Sequence, residues 1–372
     1  GMPLGQQRFV RWGIQAWRKA HPKPPKPSPT PRPFNPDSSV QVREAFQLLG
    51  YDLPSVSVDA LAVADIRPEH REAYVTPLLE YRKASKLLSA FGRPLPQYVG
   101  PDRAIHANIR PVGTASGRPT ASEPNVLQLP RDKAFRRLVV APPGHQVVVA
   151  DYSQMELRIL AQLSGDAAMI RAFAAGEDIH AATARAMFGN AFGDEERTVA
   201  KTLNFLICYG GGASNLMAQV AQRGIALSLA EAKSFIERWQ QGFAQAWAWL
   251  ERTRHQVRRT GEARSPWGRR RGFEPGTNLE ERMRSGANHV IQAANADITL
   301  LAMAAVDRQI APWGAWVALQ IYDELVVICP DERAGDAAQV VESAMVGAAS
   351  KLLVDVPAKV SVAVGDSWAV KE

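Results

Sequence analysis

Two aspartates stand where a predicted β-strand ends. Asp151 follows the apolar run Gln146–Ala150, and Asp323 lies in a short turn between the apolar segments Val317–Ile321 and Leu325–Ile328. A carboxylate in such a place is held rigidly by the sheet, and a buried acid needs a cation or another partner. If both strands belong to one sheet, the two carboxylates could hold two Mg²⁺ ions about 3.5–4 Å apart. Taken alone, Asp151 could equally cap a helix, and Asp323 could belong to an ordinary hairpin turn.

A second set of chemically useful side chains recurs at every fourth residue: Arg197, Lys201, Phe205 and Tyr209. Steps of four on an α-helix drift by only ~40° each, so these side chains share one face. Two cations followed by two aromatic rings suit a nucleoside triphosphate, with charge for the phosphates and flat rings for the sugar and base. The alternative for this segment alone is an amphipathic helix whose basic end is solvated.

The elements that must position these residues follow from hydrophobic periodicity and from glycine and proline. The pattern predicts helices at 8–19, 40–49, 68–91, 279–310 and 334–353, and strands at 103–110, 146–150, 317–321, 325–328 and 359–364. Residues 153–250 are predicted to be mainly helical, with breaks at Gly176, Gly189–Gly193 and Gly210–Gly212. Residues 111–124 read as a loop. Residues 252–271 hold eight arginines, which could contact a nucleic-acid backbone or form a solvated face.

The positive charge of the chain is concentrated at its start. The net charge is +7, and residues 1–36 carry seven basic and no acidic residues, so the remaining residues balance. Eight prolines in residues 22–36 indicate a stiff polyproline linker. The arm suggests a polyanionic partner or a docked protein partner, and a solvated basic tail is the alternative.

Composition excludes several classes of protein. With 46% hydrophobic and 22% charged residues the chain of 372 residues is typical of a soluble globular protein with two or three subdomains. It contains no run of about 18 uncharged apolar residues, so no membrane span is predicted. Cys208 and Cys329 lie in apolar surroundings and read as buried small residues, not as a disulfide or zinc site. A cytoplasmic location is expected.

The segments around Asp151, around Arg197–Tyr209 and around Asp323 resemble motifs A, B and C of family A DNA polymerases, the bacterial DNA polymerase I type. The resemblance lies in residues 151–158, 197–210 and 320–326, in matching order and spacing. It extends to 114–120, 177–180, 288–292 and 296–297, and runs from about residue 34 to residue 368.

This resemblance implies an α+β right-hand polymerase fold with an antiparallel-sheet palm, helical fingers and a shortened helical thumb. The implied divisions are a basic arm and linker (1–36), thumb (37–104), palm (105–165), fingers (166–284) and palm again (285–372). The implied partners are primer–template DNA and deoxynucleoside triphosphates, and the implied cofactors are two Mg²⁺ ions, with Mn²⁺ as a possible substitute. An association with the nucleoid is expected.

The resemblance also implies roles for individual residues. Asp151 and Asp323 would hold the metal ions, with the Tyr152 carbonyl assisting, and Lys201 would protonate the leaving group. Glu156 would be the steric gate that excludes a ribose 2′-hydroxyl. The other implied nucleotide-binding residues are Gln154, His180, Arg197, Lys201, Phe205 and Tyr209. The implied DNA-binding residues are Arg118, Arg284, Asn288, Gln292, Tyr322 and Glu324.

The sequence departs from the family pattern at several points. Tyr322 stands where most relatives have His, and residues 124–130 are a variant of a family segment. The thumb appears short, which predicts low processivity, and no room is expected for nuclease domains, so proofreading is not expected. Repair or gap filling is the expected role. The alternatives are a single-subunit RNA polymerase, a two-metal nuclease and a non-catalytic DNA-binding relative.

Overall fold

The computed structural model describes residues 33–92, 94–130 and 132–371. The predicted helix at 8–19 and residues 22–32 of the predicted linker lie outside the described residues. The chain divides into two compact units, Gly1–Val56 and Ser57–Glu372. In the first unit the side chain of Ser38 accepts a hydrogen bond from the backbone of Gln41 and starts helix α1, Ser39–Leu48. This helix buries Val42 and Phe46.

The second unit begins with short helices. They are α2 (Val58–Val63), α3 (Pro68–His70) and α4 (Thr76–Leu87), with π-helical turns at Arg71–Val75 and Leu88–Gly92. Helix was therefore predicted correctly over 68–91, but it is not α-helical throughout. Pro77 lies in the first turn of α4 and has no backbone N–H to donate, and the first π-helical turn directly precedes α4. The predicted thumb, 37–104, spans the boundary between the two units.

A four-stranded antiparallel sheet carries the two aspartates. Its strands lie in the order β6 (Trp316–Ile321), β7 (Glu324–Pro330), β3 (His145–Tyr152) and β8 (Val360–Gly365). Strand β3 is buried along Val147–Ala150 because both faces of the sheet are covered. Val148, Ala150 and Tyr152 pack into the main core, while Val147 and Val149 pack with Val326 and Trp368 on the other face.

Two small hairpins lie outside this sheet, one before β3 and one between β3 and β6 in the sequence. Strand β1 (Asn108–Arg110) pairs with β2 (Thr120–Ser122), and β4 (Glu262–Arg264) pairs with β5 (Arg270–Gly272). The predicted strand at 103–110 was wrong over its first half. Arg103 has a φ of 64°, and the backbone N–H of Gly100 donates to the carbonyl of Ala104 at 2.8 Å. A turn therefore occupies residues 100–104, and the regular strand begins only at Asn108.

Helices account for most of the remaining chain. Three of them end beside the predicted breaks at Gly176, Gly189–Gly193 and Gly210–Gly212. They are α5 (Lys133–Arg136), α6 (Met155–Ser164), α7 (Ala167–Ala174), α8 (Ile179–Phe188), α9 (Asp194–Cys208), α10 (Ala213–Ala221), α11 (Leu229–Gly242), α12 (Ala244–Thr260), α13 (Leu279–Ile310) and α14 (Ala334–Ala349). The buried side chains of α6–α14 form one core with the sheet face that carries Tyr152. The described residues thus have the predicted α+β class.

The longest helix, α13, lies in the core. Together with the turn after it, over Leu279–Trp313, it is the one helix in the described residues that is long and apolar enough to cross a membrane. Its most apolar window is 61% buried inside the protein. This burial is that of a core helix, because α13 packs against α12 and α14.

Candidate active site

The structure brings Asp151 and Asp323 together at one end of the central sheet. Strand β3 pairs with β7 so that Asp151 lies opposite Glu324, and the Tyr152 backbone N–H donates to the Asp323 carbonyl at 3.3 Å. Burial, together with the neighbouring Asp151 carboxylate, raises the pKa of Asp323 to about 7. Two acids 172 positions apart in the sequence therefore share one site.

The donors at this site fit a hard divalent cation. Two neighbouring carboxylates repel each other when both are charged, and a cation between them would remove that repulsion. No group of three or more His, Cys, Asp or Glu side chains that could hold a metal occurs in the described part of the chain. Two carboxylates and the predicted Tyr152 carbonyl are a small oxygen donor set, and Mg²⁺ accepts such a set because it keeps several waters or substrate oxygens.

Glu324, which was predicted to bind DNA, has buried protein partners in the structure. Its side chain is buried, accepts a hydrogen bond from Trp368 Nε1 at 2.7 Å and lies 3.6 Å from the Arg136 guanidinium. Arg136 in turn stacks over the Trp368 ring at 4.5 Å. Arg136 and Trp368 therefore hold the side chain of Glu324, the residue directly after Asp323.

The cationic–aromatic face predicted at every fourth residue forms on helix α9. Arg197, Lys201 and Phe205 are exposed or half-buried, whereas the residues between them are mostly buried in the core. The helix begins with Asp194, Glu195 and Glu196, whose charges suit its positive N-terminal end. Tyr209 caps the C-terminal end and is 38% exposed.

Asp178 connects the first turn after Asp151 to this helix. Its carboxylate accepts from Gln154 Nε2 at 3.0 Å and from Arg197 Nε at 2.8 Å, and it also caps helix α8. Burial would raise the pKa of Asp178, but the hydrogen bonds from Arg197, the His180 backbone and Gln154 outweigh it and lower that pKa. The role of Asp178 was missed from sequence, although it stands in the segment 177–180 that carries the resemblance.

His180 lies beneath the exposed face of α9. It is 3% exposed, its ring is 5.7 Å from the ring of Phe205, and its Nδ1 is 3.1 Å from Asn204 Nδ2. Burial, helped by the charges of Lys201 and Arg197, lowers the pKa of His180 to about 4. The imidazole is therefore neutral at neutral pH, and a phosphate contact by His180 would be made by an uncharged ring.

Glu156 makes a second connection between the segment after Asp151 and helix α9. Its Oε1 atom accepts from the Arg118 guanidinium, with which it forms a close ion pair, and from the Tyr209 hydroxyl at 3.3 Å. Burial, together with the Glu156 carboxylate, raises the pKa of Tyr209 to about 12. Both ends of the α9 face are thus tied to residues just after Asp151, so this face lies beside the two aspartates.

A cleft of about 460 Å³ contains three of the predicted DNA-binding residues, Arg118, Gln292 and Tyr322. Asn288 is one turn before Gln292 on α13 and is half-buried, and its Oδ1 atom is buried without a hydrogen-bond partner. Arg284 is a further turn back and is exposed. Spacing by four places the three α13 residues on one face. Gln128 also lines the cleft, as does Arg271, one of the eight arginines of residues 252–271 that could contact a nucleic-acid backbone.

Gly210, directly after the Tyr209 cap, requires glycine for two reasons. Its φ is 70°, and a Cβ atom there would collide with the Cβ, Cγ and Cδ atoms of Arg284. Gly165 is a matched control, because it ends helix α6 with a φ of 66° and a Cβ atom there would meet nothing within 4 Å.

We expect Gly165→Ala to lower the free energy of unfolding by about 1 kcal/mol through backbone strain alone. Gly210→Ala should lower it by about 2–4 kcal/mol, because Arg284 must also move. Equilibrium urea denaturation of both variants measures the difference. Equal losses would contradict a close packing of Arg284 on Gly210.

The chain is similar to known proteins in sequence and in fold. The model of a family described as DNA polymerase family A matches residues 29–370. DNA polymerase I, thermostable, from Thermus aquaticus is 36% identical over 362 residues, covering 90% of this chain and 42% of that protein. DNA polymerase I from Chloroflexus aurantiacus is 34% identical over 360 residues, covering 90% and 37%.

A solved structure is similar over most of the chain. The POL domain of Pol1 from M. smegmatis, in complex with DNA primer-template and dNTP, superposes with a TM-score of 0.78 and 30% identity. The match covers 91% of this chain and 62% of that chain. The chain spans about two fifths of the length of the curated relatives that it matches.

Proposed function

The chain belongs to DNA polymerase family A, and on that basis we propose that it adds deoxynucleotides to a primer 3′-end under the direction of a template strand. The observation that carries the proposal is the convergence of Asp151 and Asp323 beside the exposed face of helix α9. The mycobacterial relative was solved with DNA primer-template and dNTP. The same classes of ligand are proposed here.

The proposed chemistry is a two-metal phosphoryl transfer. Asp151, Asp323 and the Tyr152 carbonyl would hold two Mg²⁺ ions, which when bound lower the pKa of the primer 3′-hydroxyl and offset charge on the triphosphate. Arg197 and Lys201 bind the triphosphate, and Lys201 supplies a proton to the leaving pyrophosphate. Gln154 holds Asp178, and so Arg197, at the nucleotide end of the site.

Sugar selection is proposed to depend on Glu156 and Phe205. The buried Glu156 side chain would occupy the space that a ribose 2′-hydroxyl needs. Phe205 presents an apolar ring where a 3′-hydroxyl would lie. The purely apolar ring gives a dideoxynucleotide no polar group to replace its missing hydroxyl.

We expect Phe205→Tyr to improve dideoxynucleotide incorporation at least about tenfold, because the new hydroxyl can take the place of the missing 3′-hydroxyl. Competition between dideoxynucleotides and deoxynucleotides in a primer-extension ladder measures the change. Phe188→Tyr, at a half-buried position on another helix of the same core, is the control. An unchanged ratio in Phe205→Tyr would show that Phe205 does not face the sugar.

Primer extension on a defined template tests the activity itself. We expect incorporation of the templated dNTP only, arrest when divalent cations are chelated, and recovery with Mg²⁺ or Mn²⁺. Equal use of rNTPs would favour the RNA polymerase alternative. Tight primer–template binding without any extension would favour a non-catalytic DNA-binding protein.

We further propose that the described residues carry no proofreading activity and act in repair or gap filling at the nucleoid. Extension from a mismatched primer without prior excision tests this. DNA affinity against salt, with and without residues 2–33, tests whether the arm contacts phosphates or docks a protein.

A further inference from the structure

We propose that Tyr322 is a positioning residue for sugar selection, because its ring holds the Arg118 guanidinium against Glu156. The inference rests on the proposed polymerase function and adds a determinant of substrate choice to it. Tyr322 stands in the turn between β6 and β7, directly before Asp323. Its effect reaches the nucleotide through Arg118 and Glu156.

The Glu156 carboxylate is held on one side only. Its Oε1 atom accepts from both Arg118 and Tyr209, whereas its Oε2 atom is buried and has no hydrogen-bond partner in the described residues. A carboxylate fixed through one oxygen depends on those two donors for its orientation. If the Arg118 side chain moves, the orientation of the Glu156 carboxylate should therefore change with it.

The Arg118 side chain could either stay paired with Glu156 or turn into the neighbouring cleft. Its side chain is 18% exposed and also lines the cleft of about 460 Å³ in which Gln292 lies. Burial lowers the pKa of Arg118, but the charge of Glu156 outweighs that cost, so its pKa is raised and the guanidinium stays charged. The charged guanidinium lies at the edge of an open cleft, so a second contact is needed to keep it beside Glu156.

The Tyr322 ring supplies that contact. The Arg118 Cζ atom lies 5.1 Å from the ring centroid, within the range of a cation–π contact. The ring is held by a constrained backbone: Tyr322 has a φ of 56°, which is unusual for a bulky residue, and its carbonyl accepts from Gln320 Nε2 at 3.3 Å. Strain kept at such a position is typical of a functional constraint.

The test measures the ratio of kcat/KM for a dNTP to kcat/KM for the matching rNTP. We expect Tyr322→Leu, which removes the ring, to lower this ratio about threefold to tenfold. Tyr322→Phe keeps the ring and should keep the ratio within about twofold of the wild-type value. Tyr322 is 40% exposed, so both variants should fold, and Tyr322→Gln is a second ring-free variant with the same expected loss. An unchanged ratio in the ring-free variants, or an equal loss in Tyr322→Phe, would overturn the proposal.

A second background separates this role from a direct contact with DNA. In a Glu156→Ala protein, adding Tyr322→Leu should leave the dNTP-to-rNTP ratio unchanged, because the residue through which Tyr322 acts is gone. A further loss of equal size there would show that Tyr322 acts without Glu156. Failure of the wild-type protein to extend any primer would instead reject the proposed function, so the two failures are distinct.

Discussion

Asp323→Asn should reduce the rate of primer extension at least about a thousandfold, because a neutral amide of the same size cannot hold two divalent cations. The same loss is expected for Asp151→Asn. In the structure burial, together with the neighbouring Asp151 carboxylate, raises the pKa of Asp323 to about 7. Removing one charge should therefore leave folding intact while it removes the chemistry.

Rapid-quench extension of a labelled primer measures the rate, and fluorescence anisotropy measures primer–template affinity, which should change little. Asp307→Asn is the control, since Asp307 is exposed on the far part of α13 and should behave as wild type. A rate within about tenfold of wild type in both active-site variants would be incompatible with a metal-dependent role for the pair.

Lys201→Ala is expected to lower kcat by about 100-fold to 1000-fold, with a smaller rise in KM for the dNTP. The ammonium group is exposed on the α9 face, one turn from Arg197 and one turn from Phe205. It can neutralise charge that develops on the leaving pyrophosphate and can donate a proton to it. Such help is greatest in the transition state, so the larger effect should be on kcat.

Lys233→Ala, an exposed lysine on helix α11, controls for the loss of a positive charge in the same helical region. The proton-donor role can be separated from simple charge by Lys201→Arg, which keeps the charge but does not titrate below pH 12. If Lys201→Arg retained the full wild-type rate, proton donation by Lys201 would be excluded and only its charge would matter.

Features of the site that depend on local order could be predicted from the sequence. The α9 face follows from a spacing of four residues, and the Asp323 turn follows from two apolar segments around three polar residues. Both depend on neighbours within a few residues, and both have the predicted secondary structure. The segments 151–158, 197–210 and 320–326 also carry the family resemblance, which implied that they lie close together in the fold.

Contacts between distant segments could not be predicted in the same way. Trp368 is 44 positions from Glu324, and Asp178 is 19 positions from Arg197. No periodicity relates such pairs, because folding alone brings them together. Glu324 is an example: its sequence neighbours place it at the site, but its buried partners Arg136 and Trp368 are distant in the sequence.

The ion pair between Arg197 and Asp178 has a consequence for which anions can load the site. Arg197 donates through Nε and Nη2 to one carboxylate oxygen, at 2.8 and 2.6 Å. An incoming phosphate must compete for the same N–H groups. A triphosphate brings several charged oxygens and can engage Lys201 at once, whereas inorganic phosphate or a nucleoside monophosphate brings fewer. The resting protein should therefore sort ligands by the length of their phosphate chain before base pairing is tested.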